Sequence, residues 1–217
     1  MKLALIVPVL NRFDLFAELI ESVDTDIFPI IIKNWERNRG VAVSWNIGMQ
    51  RAWSAGYRYA IIANDDTRFH NGTIDRLFDT IRDTGFCMVS TNPNAENDID
   101  GLIEKKEFSN FIVDIPKLIT FCGLFDENFT PAYFEDDDMF YRIKLSGKGV
   151  CLDTKASTSH KGSATQNFDI NRPVCSMTQF DRNRSYYVKK WGGLPGQETY
   201  LTPYGSPNHT IRDWDRR

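Results

Sequence analysis

The chain has 217 residues, of which 41% are hydrophobic and 25% charged, a balance typical of a globular domain with its own core. Its net charge of -3 provides no basic field of the kind that nucleic-acid binding requires. The apolar stretch at residues 3–10 is far shorter than the roughly 20 residues of a membrane helix, so we expect no membrane span and no secretion signal.

Short apolar runs alternate with amphipathic stretches in the first 91 residues. Residues 2–8, 29–33 and 59–63 predict buried strands, whereas 41–55 and 73–84 predict helices. A further helix is expected to start after a cap at Asn11. This alternation predicts an α/β fold in which helices flank a mostly parallel central sheet. Ligands bind beyond the carboxyl ends of such strands, which points to residues 9–12, 34–38 and 64–67.

The second part of the chain predicts a mixture of short elements. Strands are expected at residues 86–90, 111–113 and 150–152, and helices at 136–145 and 177–191. Residues 92–106 are polar and rich in turn formers, which predicts a loop or seam. We expect one compact domain over residues 1–191 and a loosely held tail over 192–217.

The four cysteines are widely spaced and form no C-x-x-C pair, which argues against a zinc site. Free thiols indicate a reducing compartment, so we expect a cytoplasmic protein.

Two groups of acids and one histidine could carry chemistry. Asp65 and Asp66 directly follow the strand at residues 59–63, and they suit either a divalent cation or a solvated turn. The block Glu135–Asp138 stands at a predicted helix start, where it could provide a catalytic base or simply cap the helix. Asp138 and Arg142 have the spacing of a helical ion pair. His160, predicted in a polar loop, could complete a metal site, although a lone loop histidine usually has no such role.

The order and spacing of these motifs resemble glycosyltransferase family 2, whose members have the GT-A fold. The resemblance covers about residues 3–165. It comprises an opening IVPVLNR at residues 6–12, NRG at 38–40, NIG at 46–48, the IIANDDT segment at 61–67, FDE at 125–127, YFEDDD at 133–138 and the HKGS segment at 160–163. The rhamnosyltransferase-like branch, with members in bacteria and large DNA viruses, is the most similar. A viral source would imply the host cytoplasm.

The resemblance implies a nucleotide-sugar-binding half at residues 1–91 and an acceptor half at 107–191. It implies a metal-dependent, inverting transfer from a UDP-sugar to a hydroxyl of a glycan or glycoprotein, with Mn2+ or Mg2+ held by Asp66 and His160. Asp136 would be the catalytic base, with Glu135 as the alternative. The residues expected to bind the donor are Pro8, Val9, Arg12, Asn34, Asn38, Asn64, Asp65 and Asp66.

Two other functions remain open from the sequence. A sugar-nucleotide pyrophosphorylase would need a glycine-rich phosphate loop after the first strand, where residues 9–12 contain no glycine. A catalytically inactive nucleotide-sugar-binding module would not need Asp66, Asp136 and His160 together.

Overall fold

The computed structural model describes residues 2–95, 100–162 and 177–214. Within these ranges the chain forms a mixed eight-stranded sheet flanked by six helices, in a single compact domain. The strands are β1 (Leu3–Val9), β2 (Phe28–Lys33), β3 (Tyr59–Ala63), β4 (Thr67–Phe69), β5 (Met88–Pro93), β6 (Leu102–Ile103), β7 (Asn110–Asp114) and β8 (Val150–His160). The helices are α1 (Phe13–Glu21), α2 (Val41–Ser54), α3 (Thr73–Thr84), α4 (Ile115–Phe121), α5 (Glu135–Ser146) and α6 (Met177–Trp191), with a short 3-10 turn at Pro203–Gly205.

The sheet confirms the predicted α/β architecture and adds antiparallel strands to it. Its order is β2-β1-β3-β7-β5-β8-β4, and β6 pairs with β8 outside this order. β1 is parallel to β2 and β3, and β5 is parallel to β8, whereas β7 is antiparallel to both β3 and β5. Because β7 runs in reverse, the residues that precede it lie at the edge where β3 ends.

Strand β1 is buried on both faces of the sheet, as its continuous apolar run predicts. Ala4 and Ile6 join the core shared with α2, α4 and α5, whereas Leu5 and Val7 join the core shared with α1 and α3. Helix α2 approaches β1 very closely at Gly48, where a Cβ atom would lie 2.2 Å from Cγ2 of Ile6. The close packing of α2 against β1 therefore requires a glycine at this position of the NIG motif.

Two predicted boundaries are wrong in ways that affect the site. Helix α1 is capped by Arg12 rather than Asn11, and no side chain provides the cap hydrogen bond. The strand predicted at residues 150–152 continues to His160, because β8 pairs with β5 and β6 in its first part and with β5 and β4 in its last part. His160 therefore ends a strand and does not lie in a loop.

The segments predicted as irregular are more ordered than expected. Part of the predicted loop at residues 92–106 forms the end of β5 and the short β6, while residues 96–99 lie outside the described ranges. After α6, the backbone amides of Thr199 and Tyr200 donate to the carbonyl of Trp191, and the Tyr141 hydroxyl donates to the carbonyl of Tyr200. At Thr199 and Tyr200 the segment after α6 is thus hydrogen-bonded to the domain.

Three of the cysteines, Cys87, Cys122 and Cys151, are free thiols, as predicted; Cys175 and Ser163 of the HKGS segment lie outside the described residues. Within the described ranges, no helix is both long enough and apolar enough to cross a membrane.

Candidate active site

A cavity of about 380 Å³ opens at the edge where β1, β2 and β3 end. This volume lies in the range of about 300–1,000 Å³ that small-molecule sites occupy. Its wall combines polar and acidic side chains with a comparable number of apolar and aromatic ones. The lining residues are Pro8, Leu10, Asn34, Asn38, Gly40, Val41, Trp45, Asn64, Asp65, Asp66, Lys106, Glu107, Phe108, Ser109, Pro131, Ala132, Tyr133, Glu135, Asp136 and His160.

Most of the residues that the sequence singled out meet at this cavity. Those that line it are Pro8, Asn34, Asn38, Asn64, Asp65, Asp66, Glu135, Asp136 and His160. Val9 does not, because its side chain is fully buried in the core. The Arg12 guanidinium is not among the lining groups and pairs with Asp14, with an Nη2–Oδ2 distance of 2.6 Å. That hydrogen bond, together with the charges of Asp65 and Asp66, raises the pKa of Arg12.

Asp66 and His160 meet because their strands pair. Thr67 of β4 lies opposite His160 of β8 in an antiparallel register, so the residue before Thr67 lies beside the imidazole. The distance between His160 Nε2 and Asp66 Oδ1 is 3.3 Å. The Asp66 side chain is almost completely buried, while His160 is about one-fifth exposed. The two predicted metal ligands are therefore neighbours on the wall of the cavity.

The acidic block forms the first turn of α5, whose N-terminus favours negative charge. Its four members have different surroundings. Asp136 and Asp137 share one cation, with Lys106 Nζ 3.0 Å from Asp136 Oδ2 and 2.6 Å from Asp137 Oδ1. Burial alone would lower the pKa of Lys106, but the two carboxylates outweigh burial and raise it. Lys106 is therefore held in its charged form beside Asp136.

Glu135 differs from Asp136 in burial and in bonding. Its side chain is buried, and Oε2 has no hydrogen-bond partner among the described residues. Burial and the adjacent charge of Asp136 raise its pKa well above the usual value for glutamate, which favours the protonated carboxyl. A protonated carboxyl cannot accept a proton, so of the two residues predicted as a base, Asp136 suits that prediction better than Glu135 in this environment.

Asp138 is part of a buried ion network and does not reach the cavity. Arg142 Nη2 and Lys190 Nζ each lie 2.6 Å from its carboxylate, and Trp191 Nε1 donates to it at 2.8 Å. Burial would raise the pKa of Asp138, but the two cations outweigh burial and lower it. The predicted pairing of Asp138 with Arg142 is confirmed.

Sequence reasoning missed several polar residues of the cavity wall, among them Trp45, Lys106, Glu107 and Ser109. Trp45 lies within the helix predicted at residues 41–55, Lys106 ends the irregular segment predicted at residues 92–106, and Ser109 directly precedes β7. Trp45 Nε1 and Ser109 Oγ are buried and, like Glu135 Oε2, have no hydrogen-bond partner in the described part of the chain. The spacing of these residues in the sequence gives no sign that they belong to the site. Ser109, for example, reaches it because β7 runs antiparallel to β3.

Asn34, at the end of β2, is held by a local network. Its Nδ2 donates to Ser44 Oγ at 2.9 Å, and the backbone amide of Arg39 donates to its Oδ1 at 3.5 Å. Ser44 Oγ also lies 3.3 Å from Oδ1. Because the backbone amide of Arg39 can only donate, it sets the orientation of the side-chain amide, with Oδ1 towards Arg39. The side chain is 7% exposed, and that exposed part faces the cavity.

No protein-family model matches this sequence, and no curated protein matches it. Solved structures do match the fold. The structure of TarS residues 1–349 from S. aureus matches with a TM-score of 0.57 and 11% identity, covering 87% of this chain and 71% of that one. The same fragment in complex with UDP matches with a TM-score of 0.58 and 11% identity, and the match covers 88% of this chain and 71% of that one.

A longer TarS structure gives a TM-score of 0.58 and 13% identity, and it covers 87% of this chain but 43% of its own. TarS is a wall teichoic acid glycosyltransferase. These matches support neither the rhamnosyltransferase-like branch nor a viral source. At such low identity the similarity concerns the fold alone, and this chain has the GT-A-type α/β fold.

Proposed function

We propose that this chain is a glycosyltransferase that moves a sugar from a nucleoside-diphosphate sugar, preferentially a UDP-sugar, to a hydroxyl of a glycan or glycoprotein. One observation carries the proposal. Asp65 and Asp66 follow β3, whereas Glu135 and Asp136 begin α5. All four nevertheless line one cavity at the carboxyl edge of a GT-A sheet. A structural neighbour with this fold, TarS, has been solved with UDP.

The nucleotide would lie across the ends of the parallel strands. The base would bind near Pro8, Leu10 and Asn34, which lie at the carboxyl ends of β1 and β2. Asp65, directly after β3, would accept hydrogen bonds from the ribose hydroxyls. This orientation directs the diphosphate towards Asp66.

The residues present fit a divalent cation. The cavity wall carries five carboxyl side chains, namely Asp65, Asp66, Glu107, Glu135 and Asp136, against the ammonium group of Lys106, and the imidazole of His160 lies beside Asp66. Among the described residues, no group of three or more His, Cys, Asp or Glu side chains is arranged to hold a metal. We propose Asp66 and His160, whose side chains lie 3.3 Å apart, as its protein ligands, and diphosphate oxygens would supply the others. When bound, Mn2+ or Mg2+ would stabilise the negative charge of the leaving diphosphate.

Asp136 would act on the acceptor. Its carboxylate takes the proton of the acceptor hydroxyl while that oxygen forms a bond to the anomeric carbon. The bond between the anomeric carbon and the diphosphate oxygen breaks at the same time, and the electron pair leaves with the nucleoside diphosphate. Attack opposite the leaving group inverts the anomeric centre, and no covalent enzyme intermediate is required.

The sugar would occupy the part of the cavity that contains Trp45 Nε1, Ser109 Oγ and Glu135 Oε2. Each of these buried atoms lacks a partner among the described residues, and buried polar atoms rarely remain so. Sugar hydroxyls both donate and accept, so they could satisfy all three atoms. The neutral form of Glu135 suits this role because a protonated carboxyl can also donate.

Ser109→Ala is expected to weaken binding of the UDP-sugar by about 5-fold, the equivalent of one net hydrogen bond of about 1 kcal/mol. Binding of UDP alone should be unchanged, since Ser109 would contact the sugar. Isothermal titration with both ligands measures the difference, and Trp45→Phe, which keeps an aromatic ring in the core, provides a second variant. Equal losses for UDP and the UDP-sugar would assign these atoms to the nucleotide instead.

The function itself is tested with a panel of nucleotide sugars and Mn2+. We expect a thermal shift for at least one of them, together with slow release of nucleoside diphosphate as water replaces the acceptor. Binding without release would indicate an inactive nucleotide-sugar module. Consumption of added inorganic pyrophosphate, with formation of sugar 1-phosphate and nucleoside triphosphate, would indicate a pyrophosphorylase. The absence of any shift would contradict the proposal.

A further inference from the structure

The turn that leads into α5 has a strained backbone. Tyr133 and Phe134 have φ angles of 77° and 72°, in the left-handed region that residues with a side chain rarely adopt. Two such residues in succession persist only where surrounding contacts hold them. Glu135 and Asp136 follow immediately, so the position of the candidate base depends on this turn.

Asn183, on α6, bonds directly to this turn. Its side chain is completely buried, and Nδ2 donates to the carbonyl of Ala132 at 2.9 Å and to that of Tyr133 at 3.1 Å. Oδ1 has no hydrogen-bond partner within the described ranges. The side-chain amide thus donates to two consecutive carbonyls of the turn.

Helix α6 also holds the other end of the acidic block. Lys190 Nζ lies 2.6 Å from Asp138 and 2.8 Å from Asp126, and Trp191 Nε1 donates to Asp138. These groups are fully buried, so the charges are compensated within the network. Glu135 and Asp136 therefore lie between two points that are both fixed to α6.

We propose that Asn183 is a positioning residue for sugar transfer, because it holds the strained turn in the geometry that directs Asp136 into the cavity. This inference rests on the proposed function. Asn183 does not line the cavity, so its effect on catalysis would pass through the backbone of residues 132–134. Helix α6 would then be part of the catalytic scaffold, although it lies beyond the region of family resemblance.

Asn183→Ala tests the inference against a control of similar structural cost. Thr80→Val removes another buried hydrogen bond, from Thr80 Oγ1 to Asp153 Oδ2 at 2.6 Å, between α3 and β8. We expect kcat for UDP-sugar cleavage to fall about 100-fold in Asn183→Ala, the size of effect that a misplaced catalytic group produces. The Kd for UDP with Mn2+ should stay within about 2-fold of the wild-type value, since the proposed nucleotide site at the ends of β1, β2 and β3 is unaltered. Thr80→Val should lower the Tm with little change in kcat.

Amide exchange followed by mass spectrometry gives a second readout that does not need activity. Peptides spanning residues 130–138 should exchange faster in Asn183→Ala than in the wild type, whereas Thr80→Val should leave them unchanged. If kcat falls no further in Asn183→Ala than in Thr80→Val, or if exchange in these peptides is unaltered, the inference is overturned. A wild-type chain that cleaves no nucleotide sugar would instead contradict the proposed function, and the exchange experiment would still decide whether Asn183 holds the turn.

Discussion

Asp136→Asn is expected to reduce sugar transfer by about 10²–10⁴-fold, the usual contribution of a general base. An amide of the same shape cannot take the acceptor proton. Because Asp136 is placed at the acceptor side of the cavity, away from the proposed nucleotide site, UDP should bind to the variant as it does to the wild type. Transfer rates and titration with UDP and Mn2+ measure the two quantities separately.

Asp137→Asn is the matched control for this variant. It removes the same charge from the neighbouring position and also loses an ion pair with Lys106, whose distance to Asp137 is 2.6 Å. Lys106 keeps Asp136 as a partner at 3.0 Å in that control. Asp137→Asn should therefore retain most of the transfer activity. Full activity in Asp136→Asn, or equal losses in both variants, would exclude Asp136 as the base.

Asp66→Asn is expected to abolish the dependence of donor binding on metal. The carboxylate would be the only anionic protein ligand of the cation, and its neighbour His160 contributes no charge in the neutral form. We expect UDP affinity in the presence of Mn2+ to fall at least about 10-fold, towards the value that the wild type has in EDTA. Titrations of both proteins with and without the metal measure this difference.

Asp79→Asn controls for the loss of one negative charge. Asp79 lies on α3, where it pairs with the exposed Arg82 and has no place in the cavity wall. This variant should bind UDP with the metal dependence of the wild type. If Asp66→Asn kept that dependence as well, the metal would have to be held elsewhere or not be used.

The first half of the fold could be predicted from the sequence because its signals are local. The runs that form β1, β2 and β3 are apolar and short, and α2 and α3 end near glycines with positive φ. A parallel arrangement then places residues after each strand at one edge. This reasoning was sufficient to bring Asn34, Asp65 and Asp66 to a common cavity.

The rest of the site depends on pairings between distant strands, which leave little local signal. Residues 153–160 are mostly polar, a pattern that does not indicate a buried strand. Nevertheless β8 pairs with β5 on one side and with β6 and β4 on the other, and it ends at His160. Lys106 lies at the end of the segment predicted as irregular, and the antiparallel direction of β7 places the residues before that strand near Asp136. The contact of Asn183 with the site could not be predicted for the same reason, since its hydrogen-bond partners are two backbone carbonyls of a turn that is distant in sequence.

A crystal structure of the protein with UDP and Mn2+ tests most directly whether one crevice holds both acid groups and the donor. We expect the uracil beside Asn34, the metal bound by Asp66 and His160 and bridged to the diphosphate, and Asp136 facing the open space beyond the β-phosphate. UDP bound outside this cavity, or a diphosphate directed away from Asp66, would contradict the account.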